Sequence, residues 1–304
     1  MNTLHFGSVD IHRVVEWIGP LKTVDEMFPD TPAEEWTDEL APEHWTPDTR
    51  AYRAAIQTWV LRTGGRTILI DTGVGNDRDR PQVPTFDHLH TDYLRRLAEV
   101  GVEPGDVDIV VNTHIHYDHV GWNTRLDGTS WVPTFPNATY LVPRRDYDYF
   151  RPENAERMRP PRTDDEKARF EGIRLVFADS VKPIADAGQL QTWDDGHRID
   201  AMLRLEPAPG HTPGSSVAWL ETGAAVFVGD LMHTPVQISR PDDACAFDLD
   251  AGRARVSRRA VLKAAARTGA TVFPAHFAGP GATSVNAAAT NGFQAGRWAP
   301  LDPA

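Results

Sequence analysis

Most apolar positions along this chain recur with the alternation of strands, broken by a few stretches at helical spacing. Val9–Ile18 mixes apolar and polar residues as an edge strand does, and Gly19 and Pro20 are expected to break it. Ala55–Leu61 and Thr67–Ile70 are apolar runs divided by Thr63-Gly64-Gly65-Arg66, the pattern of a hairpin. Phe86, Leu89, Tyr93, Leu94, Leu97 and Val100 predict a helix over Phe86–Val100, closed by Gly101. Val107–Val111 reads as a buried strand, and so does Asn137–Val142. Arg144–Phe177 is a charged, amphipathic helical stretch interrupted at Pro160–Pro161.

Further on, Met202–Leu205 is a strand, and Val217–Leu220 with Ala224–Val228 form a second hairpin around Glu221-Thr222-Gly223. Asp248–Arg267 is an Ala/Arg-rich helix that Gly269 stops, and Thr271–Phe273 is a last short strand. The Ala/Gly-rich tail from Gly279 is expected to pack loosely. Strand-rich and helical stretches alternate without strict βαβ order. That predicts an α/β (α+β) fold, two mixed sheets face to face with helices outside, in one domain over residues 1–304. The Pro- and acid-rich segment Leu21–Asp48 carries Trp36 and Trp45, too apolar for plain disorder. It reads as an arm that covers an active site or packs on a second subunit of a homodimer.

Charge narrows the partners. The 304 residues hold 43 acidic and 31 basic side chains, a formal net charge of -12, which disfavours nucleic acid or an anionic membrane as partner. A small-molecule substrate is expected instead. The one cysteine, Cys245, rules out an internal disulfide and a thiolate zinc cage, and reads as a small buried residue. No basic-then-apolar leader is visible, and no apolar run approaches the roughly 20 residues of a membrane helix. A cytoplasmic location is the expectation.

The candidate chemistry lies in Val110–Gly121, where His114, His116, Asp118 and His119 fall within six positions just past a strand. Alternation sends His114 and His116 the same way, suiting two imidazoles on one ion. Asp118 and His119 follow as the chain turns and can face a second. Four such side chains buried without partners would be costly, which points to metal. His211, Asp230 and His276 each follow an apolar strand-like run, and Asp71 ends another. Taken singly these fit turn or capping residues. With the cluster, His211, Asp230 and His276 make seven N/O donors, a suitable count for two divalent ions sharing one carboxylate. His88 and His90 read as surface residues.

The run His-Ile-His-Tyr-Asp-His has the form H-x-H-x-D-H, and the chain resembles the metallo-β-lactamase superfamily from about Ile56 through His276. Ile70-Asp71-Thr72-Gly73, Pro209-Gly210-His211-Thr212-Pro213-Gly214, Gly229-Asp230 and Pro274-Ala275-His276 extend the resemblance. It implies a four-layer αββα sandwich. It implies that His114, His116 and His211 hold one ion, that Asp118, His119 and His276 hold the other, that Asp230 bridges both, and that Asp71 orients a ligand by hydrogen bonding. Zinc is the first expectation, and manganese, iron or cobalt also suit such donors. The implied reaction is hydrolysis by a hydroxide bridging the two cations, with Asp118 able to pass a proton to the departing group.

Asp230 in place, with no cysteine at the second site, argues against a penicillin-cleaving member. No flavodoxin domain or nucleic-acid clamp is visible either. The long N-terminal arm and Gly229-Asp230-Leu231-Met232-His233 resemble N-acyl homoserine lactonases and methyl parathion hydrolase-like enzymes, so cleavage of a lactone or other carboxylic ester is expected. The alternatives are a phosphotriesterase, a glyoxalase II-like thioester hydrolase (Arg297 alone offering a basic C-terminal contact), and a metal-binding scaffold without catalysis. Trp122, Met232 and Phe277 would line an apolar pocket and His233 would contact substrate, although ordinary core packing fits the first three equally well.

Overall fold

The computed structural model describes residues 3–157, 160–161, 163–289 and 292–301. Its first half supplies β1 (Leu4–Phe6), β2 (Val9–Thr23), β3 (Trp45–Thr46), β4 (Ala51–Thr63), β5 (Arg66–Ile70) and β6 (Ile109–Val111). A separate hairpin of β7 (Thr124–Asp127) and β8 (Ser130–Pro133) intervenes, and β9 (Thr139–Pro143) and β10 (Leu190–Trp193) then complete a mixed sheet in the order β1-β2-β4-β5-β6-β9-β10, with β3 on β4. The second sheet runs in chain order through β11 (His197–Arg198), β12 (Leu203–Pro207), β13 (Ser216–Leu220), β14 (Ala225–Gly229), β15 (Thr271–Pro274), β16 (Thr283–Ala288) and β17 (Gly292–Trp298).

The two sheets share one apolar interior. Ile11, Trp59, Leu61, Ile68 and Ile70 of the first pack with Leu203, Leu205, Ala218, Leu220, Phe227 and Phe273 of the second. Trp59 meets Phe273 edge-on with ring centres 4.9 Å apart. The alternate residues Val60, Leu69 and Val110 face outward onto Tyr93 and Leu97 of α2, the helix Tyr93–Glu99 that follows α1 (Val24–Met27). On the far side Val226, Val228 and Val272 bury Leu262 and Ala265. Both faces of the central strands are therefore covered, which is why they read as unbroken apolar runs. The result is the expected αββα layering.

Next along the chain come α3 (Arg144–Phe150), α4 (Asp164–Val176), α5 (Lys182–Asp186), α6 (Val236–Ser239) and α7 (Ala251–Thr268), with a π turn, Phe177–Val181, joining α4 to α5. Asp250 caps α7 by accepting from the Arg253 amide at 3.0 Å, and Gly269 ends it in the left-handed region at φ 68.

Three expectations are corrected. Gly19 and Pro20 do not end β2, which runs on to Thr23 with a register shift between Pro20 and Thr23. β1 covers only Val9–Ile11, so the rest of β2 is an edge where proline removes no needed donor. The helix begins at Tyr93, not Phe86: the Leu89 carbonyl takes the Asp77 amide and the Asn76 side chain takes the Thr91 amide, so the backbone there is committed elsewhere. The tail is no loose coil. Thr283–Ala288 and Gly292–Trp298 form a hairpin closing the second sheet, with Val285 and Leu301 buried.

The arm packs on its own chain: Val24, Met27, Phe28, Trp36 and Trp45 join Tyr52, Val236 and a buried Cys245. Among the described residues no helix is long and apolar enough to cross a membrane.

Candidate metal centre

The histidine segment leaves the sheet where β6 ends and is folded back at once. The His119 carbonyl accepts from the Thr72 amide (2.8 Å) and from the Asn112 side chain (3.1 Å). His211 stands on the β12–β13 turn, Asp230 directly after β14, and His276 two residues past β15. All seven expected donors converge at one end of the sandwich.

Asp230 divides them. Its Oδ2 lies 3.1 Å from His211 Nε2 and 3.7 Å from His114 Nε2, while His116 Nδ1 is 3.0 Å from both of those nitrogens. Its Oδ1 lies 3.0 Å from His119 Nε2 and 2.9 Å from His276 Nε2. Asp118 completes that second group, 3.6 Å from His276 Nε2 and 3.8 Å from His119 Nε2. Donors around a tetrahedral zinc ion at about 2.1 Å stand about 3.4 Å from one another, so both groups have the spacing of an ion's coordination shell. His119 Nε2 and Asp230 Oδ1 are also buried with no hydrogen bond of proper geometry, which an ion between the donors would repair. The residues fit two divalent cations.

Three of the remaining imidazole nitrogens are fixed by acceptors. His119 Nδ1 donates to Asp71 Oδ2 (2.9 Å), His211 Nδ1 to Asp248 Oδ1 (3.1 Å), and His276 Nδ1 to the Ala55 carbonyl (2.9 Å). A carboxylate or carbonyl can only accept, so Nδ1 keeps a proton and each of these rings turns Nε2 toward the cluster, the atom that offers a lone pair to a cation once its own proton is displaced. Asp71 is itself held by the Thr113 amide and hydroxyl at 2.8 and 2.9 Å.

Burial pushes His114 and His116 well below the usual histidine value, keeping them neutral. Burial also works against charge on His211, but Asp230 and Asp248 outweigh it and hold that ring up at about 9. His119 is likewise raised against burial by Asp230, Asp71 and Asp118. Burial would raise Asp230, yet His119, His276, His233 and His211 hold it well below the carboxylate range. A carboxylate this deep requires positive charge around it.

Two residues that no local pattern marks belong to this architecture. Asp248 orients His211 while accepting from the Cys245 amide and Arg258. Asp146 on α3 accepts from the Ile115 amide (3.0 Å), the Thr212 hydroxyl (2.8 Å) and the Gly214 amide (2.5 Å), tying the His114–His116 segment to the His211 turn. Neither stands in a motif.

A cavity of about 520 Å³ opens beside the cluster. Leu21 and Met27 of the arm region, Ile115, Phe150, Ile173 and Val176, and Phe247 and Leu249 give it apolar walls, and His116, Asp118, His211, Asp230, His233 and His276 also line it. His233 sits 3.1 Å from Asp230 and stacks on His276. Trp122, Met232 and Phe277 do not line the cavity. Trp122 stacks on Tyr93 and donates to Glu16, Met232 is buried against α7, and Phe277 packs with His44 and Trp298. His88 and His90 are exposed, facing Asp79 and Asp77.

Comparison with known proteins gives the same outline. The family model described as the metallo-beta-lactamase superfamily matches residues 52–276. An N-acyl homoserine lactonase, AttM of Azorhizobium caulinodans, is 35% identical over 124 residues, which are 40% of this chain and 38% of that protein. The alignment thus spans well under half of that curated relative. Among solved structures, the hydrolase AbOPH of the beta lactamase superfamily superposes with a TM-score of 0.79 at 25% identity, covering 96% of this chain and 95% of its own. AidC, a dizinc quorum-quenching lactonase, superposes at 0.75 and 22% identity, covering 99% and 98%.

Proposed function

Since the chain belongs to the metallo-beta-lactamase superfamily, we propose that it is a dinuclear metal-dependent hydrolase that opens a lactone or cleaves another carboxylic ester. The observation that carries this reading is the division of Asp230, one oxygen toward His114 and His211 and the other toward His119 and His276. His114, His116 and His211 would hold one cation, Asp118, His119 and His276 the other, with Asp230 shared. Zinc is the first choice for a donor set of imidazoles and carboxylates without sulfur. When bound, two such cations supply Lewis acidity toward an acyl oxygen and a hydroxide nucleophile near neutral pH.

The chain's own groups do the rest. Asp71, Asp248 and the Ala55 carbonyl keep His119, His211 and His276 in the ligating tautomer. Asp118 lines the cavity with an 11% exposed side chain, so it can reach a departing alkoxide and return a proton to it. The apolar walls exclude water and seat an acyl or aryl group, and their volume suits a small molecule. The lactonase relative supports an ester bond as the target. A cytoplasmic location stays part of this reading, in keeping with the buried, unpaired Cys245.

The test strips the protein with a chelator, counts ions on reloading, and assays lactones, aryl esters, phosphotriesters, thioesters and cephalosporins. Two ions per chain and metal-dependent turnover of lactones or aryl esters are expected. Faster turnover of a phosphotriester or thioester would change the bond class, and full activity without metal would overturn the reading.

A further inference from the structure

Strand β2 gives no donor to the metal cluster, yet it carries a buried carboxylate, Glu16, only 2% exposed. No ion pair to it occurs among the described residues. Four donors converge on it instead: the Val74 amide at 2.6 Å, the Gly75 amide at 3.1 Å, the Trp122 indole at 2.6 Å and the Thr91 hydroxyl at 3.3 Å. They come from three separate segments of the chain.

Two of those segments build one of the cation sites. The loop after β5 begins with Asp71, and the turn containing Trp122 begins with His119. The loops are laced together by Thr72 N to His119 O (2.8 Å), Trp122 N to Thr72 O (2.7 Å) and Gly121 N to Gly73 O (2.7 Å). No side chain fits between them: a Cβ on Gly121 would fall 1.9 Å from the Val74 carbonyl, and one on Gly73 would fall 2.0 Å from Glu16 Oε2. Glu16 thus takes the place a side chain at position 73 would need, at a residue whose φ of +59 already favours glycine.

We propose that Glu16 is a positioning residue for the Asp118/His119/His276 cation site. By gripping Val74, Gly75 and Trp122 together it fixes the Asp71 loop against the His119 turn, and through the Asp71–His119 bond it sets the aim of His119 Nε2. The other triad is held by contacts of its own, His211 by Asp248 and both of its segments by Asp146, so although Asp71 also holds Thr113 beside His114 the effect falls mainly on one site. The inference rests on the dinuclear reading above.

Glu16→Gln is the diagnostic variant. The amide keeps the shape but sets an NH2 against N–H groups that can only donate, those of Val74 or of Gly75 and Trp122. Metal-free protein is titrated with zinc against a chromophoric chelator, with circular dichroism to confirm folding. Wild type takes up two ions. Glu16→Gln is expected to bind one with wild-type affinity and the other about 10–100-fold more weakly, the range seen when a ligand loses its orienting partner. Equal weakening of both sites, as a merely structural role would give, or two ions at wild-type affinity, overturns the proposal. Should Glu16→Gln not fold, Thr91→Val removes only the longest of the four bonds; a smaller loss confined to one ion supports the inference, and no change refutes it. Wild-type protein that binds fewer than two ions would instead overturn the dinuclear reading, and this inference with it.

Discussion

Replacing Asp71 by Asn isolates what a proton on the wrong nitrogen does to the proposed metal site. The Asp71 carboxylate accepts three hydrogen bonds, from the Thr113 amide to Oδ1 and from the Thr113 hydroxyl and His119 Nδ1 to Oδ2. Asparagine offers one oxygen and one NH2, so an amine must face a donor. Facing the Thr113 amide it would meet a hydrogen that cannot move. Facing His119 the conflict disappears if the imidazole shifts its proton from Nδ1 to Nε2. The variant should take the second course, placing a hydrogen on the atom 3.0 Å from Asp230 that would otherwise bind the cation. The backbone does not confound the experiment, because position 71 has φ 57 and Asn tolerates that region as well as Asp does.

To bind the ion, His119 must move its proton back and set one buried N–H against another. An unsatisfied buried donor costs about 1–3 kcal/mol. At about 1.4 kcal/mol per tenfold, that is a loss of about 5–150-fold in affinity for one ion of the pair. Metal-free stability should fall as well, because Asp71 is one of the carboxylates that support charge on the buried His119 ring. Chelator competition measures the affinity, histidine nitrogen NMR reports which nitrogen carries the proton, and thermal melting supplies the control. An Asp71→Asn protein that binds both ions as wild type does would refute the tautomer argument.

Two further changes test the frame around the site. Asp179→Ala should cost about 3–5 kcal/mol in urea unfolding, because Arg78 and Arg80 are fully buried and both pair with that carboxylate at 2.8–2.9 Å; a loss below about 1 kcal/mol would mean that other groups compensate them. Burial pushes Asp146 up to about 6 from an ordinary 3.8, so the folded state binds its proton more tightly than the unfolded chain. That stabilisation is complete below pH 3.8 and is lost as pH rises through 6, in all about 3 kcal/mol. Wild type should therefore lose stability relative to Asp146→Asn between pH 4 and 7, and parallel pH profiles would contradict the assignment.

Why the seven donors were legible in the sequence while their supports were not follows from the distance over which each is specified. His114, His116, Asp118 and His119 share one turn, and His211, Asp230 and His276 each sit where an apolar run stops, so a local pattern marks every one. Asp248 acts on a histidine 37 positions away and Glu16 on amides 58 and 59 positions away, and nothing in their neighbours announces those partners. Trp122 shows the same limit from the other side. Standing next to the histidines it read as pocket wall, but Tyr93 and Glu16, brought in by α2 and β2, draw its ring into the core. Helical spacing failed over Phe86–Thr91 for a related reason, since it counts apolar side chains and ignores where backbone amides find acceptors. Chemistry that must gather at strand ends can be read locally. The bonds that aim it are made between segments far apart in the chain, and only the folded sheet order decides which of them meet.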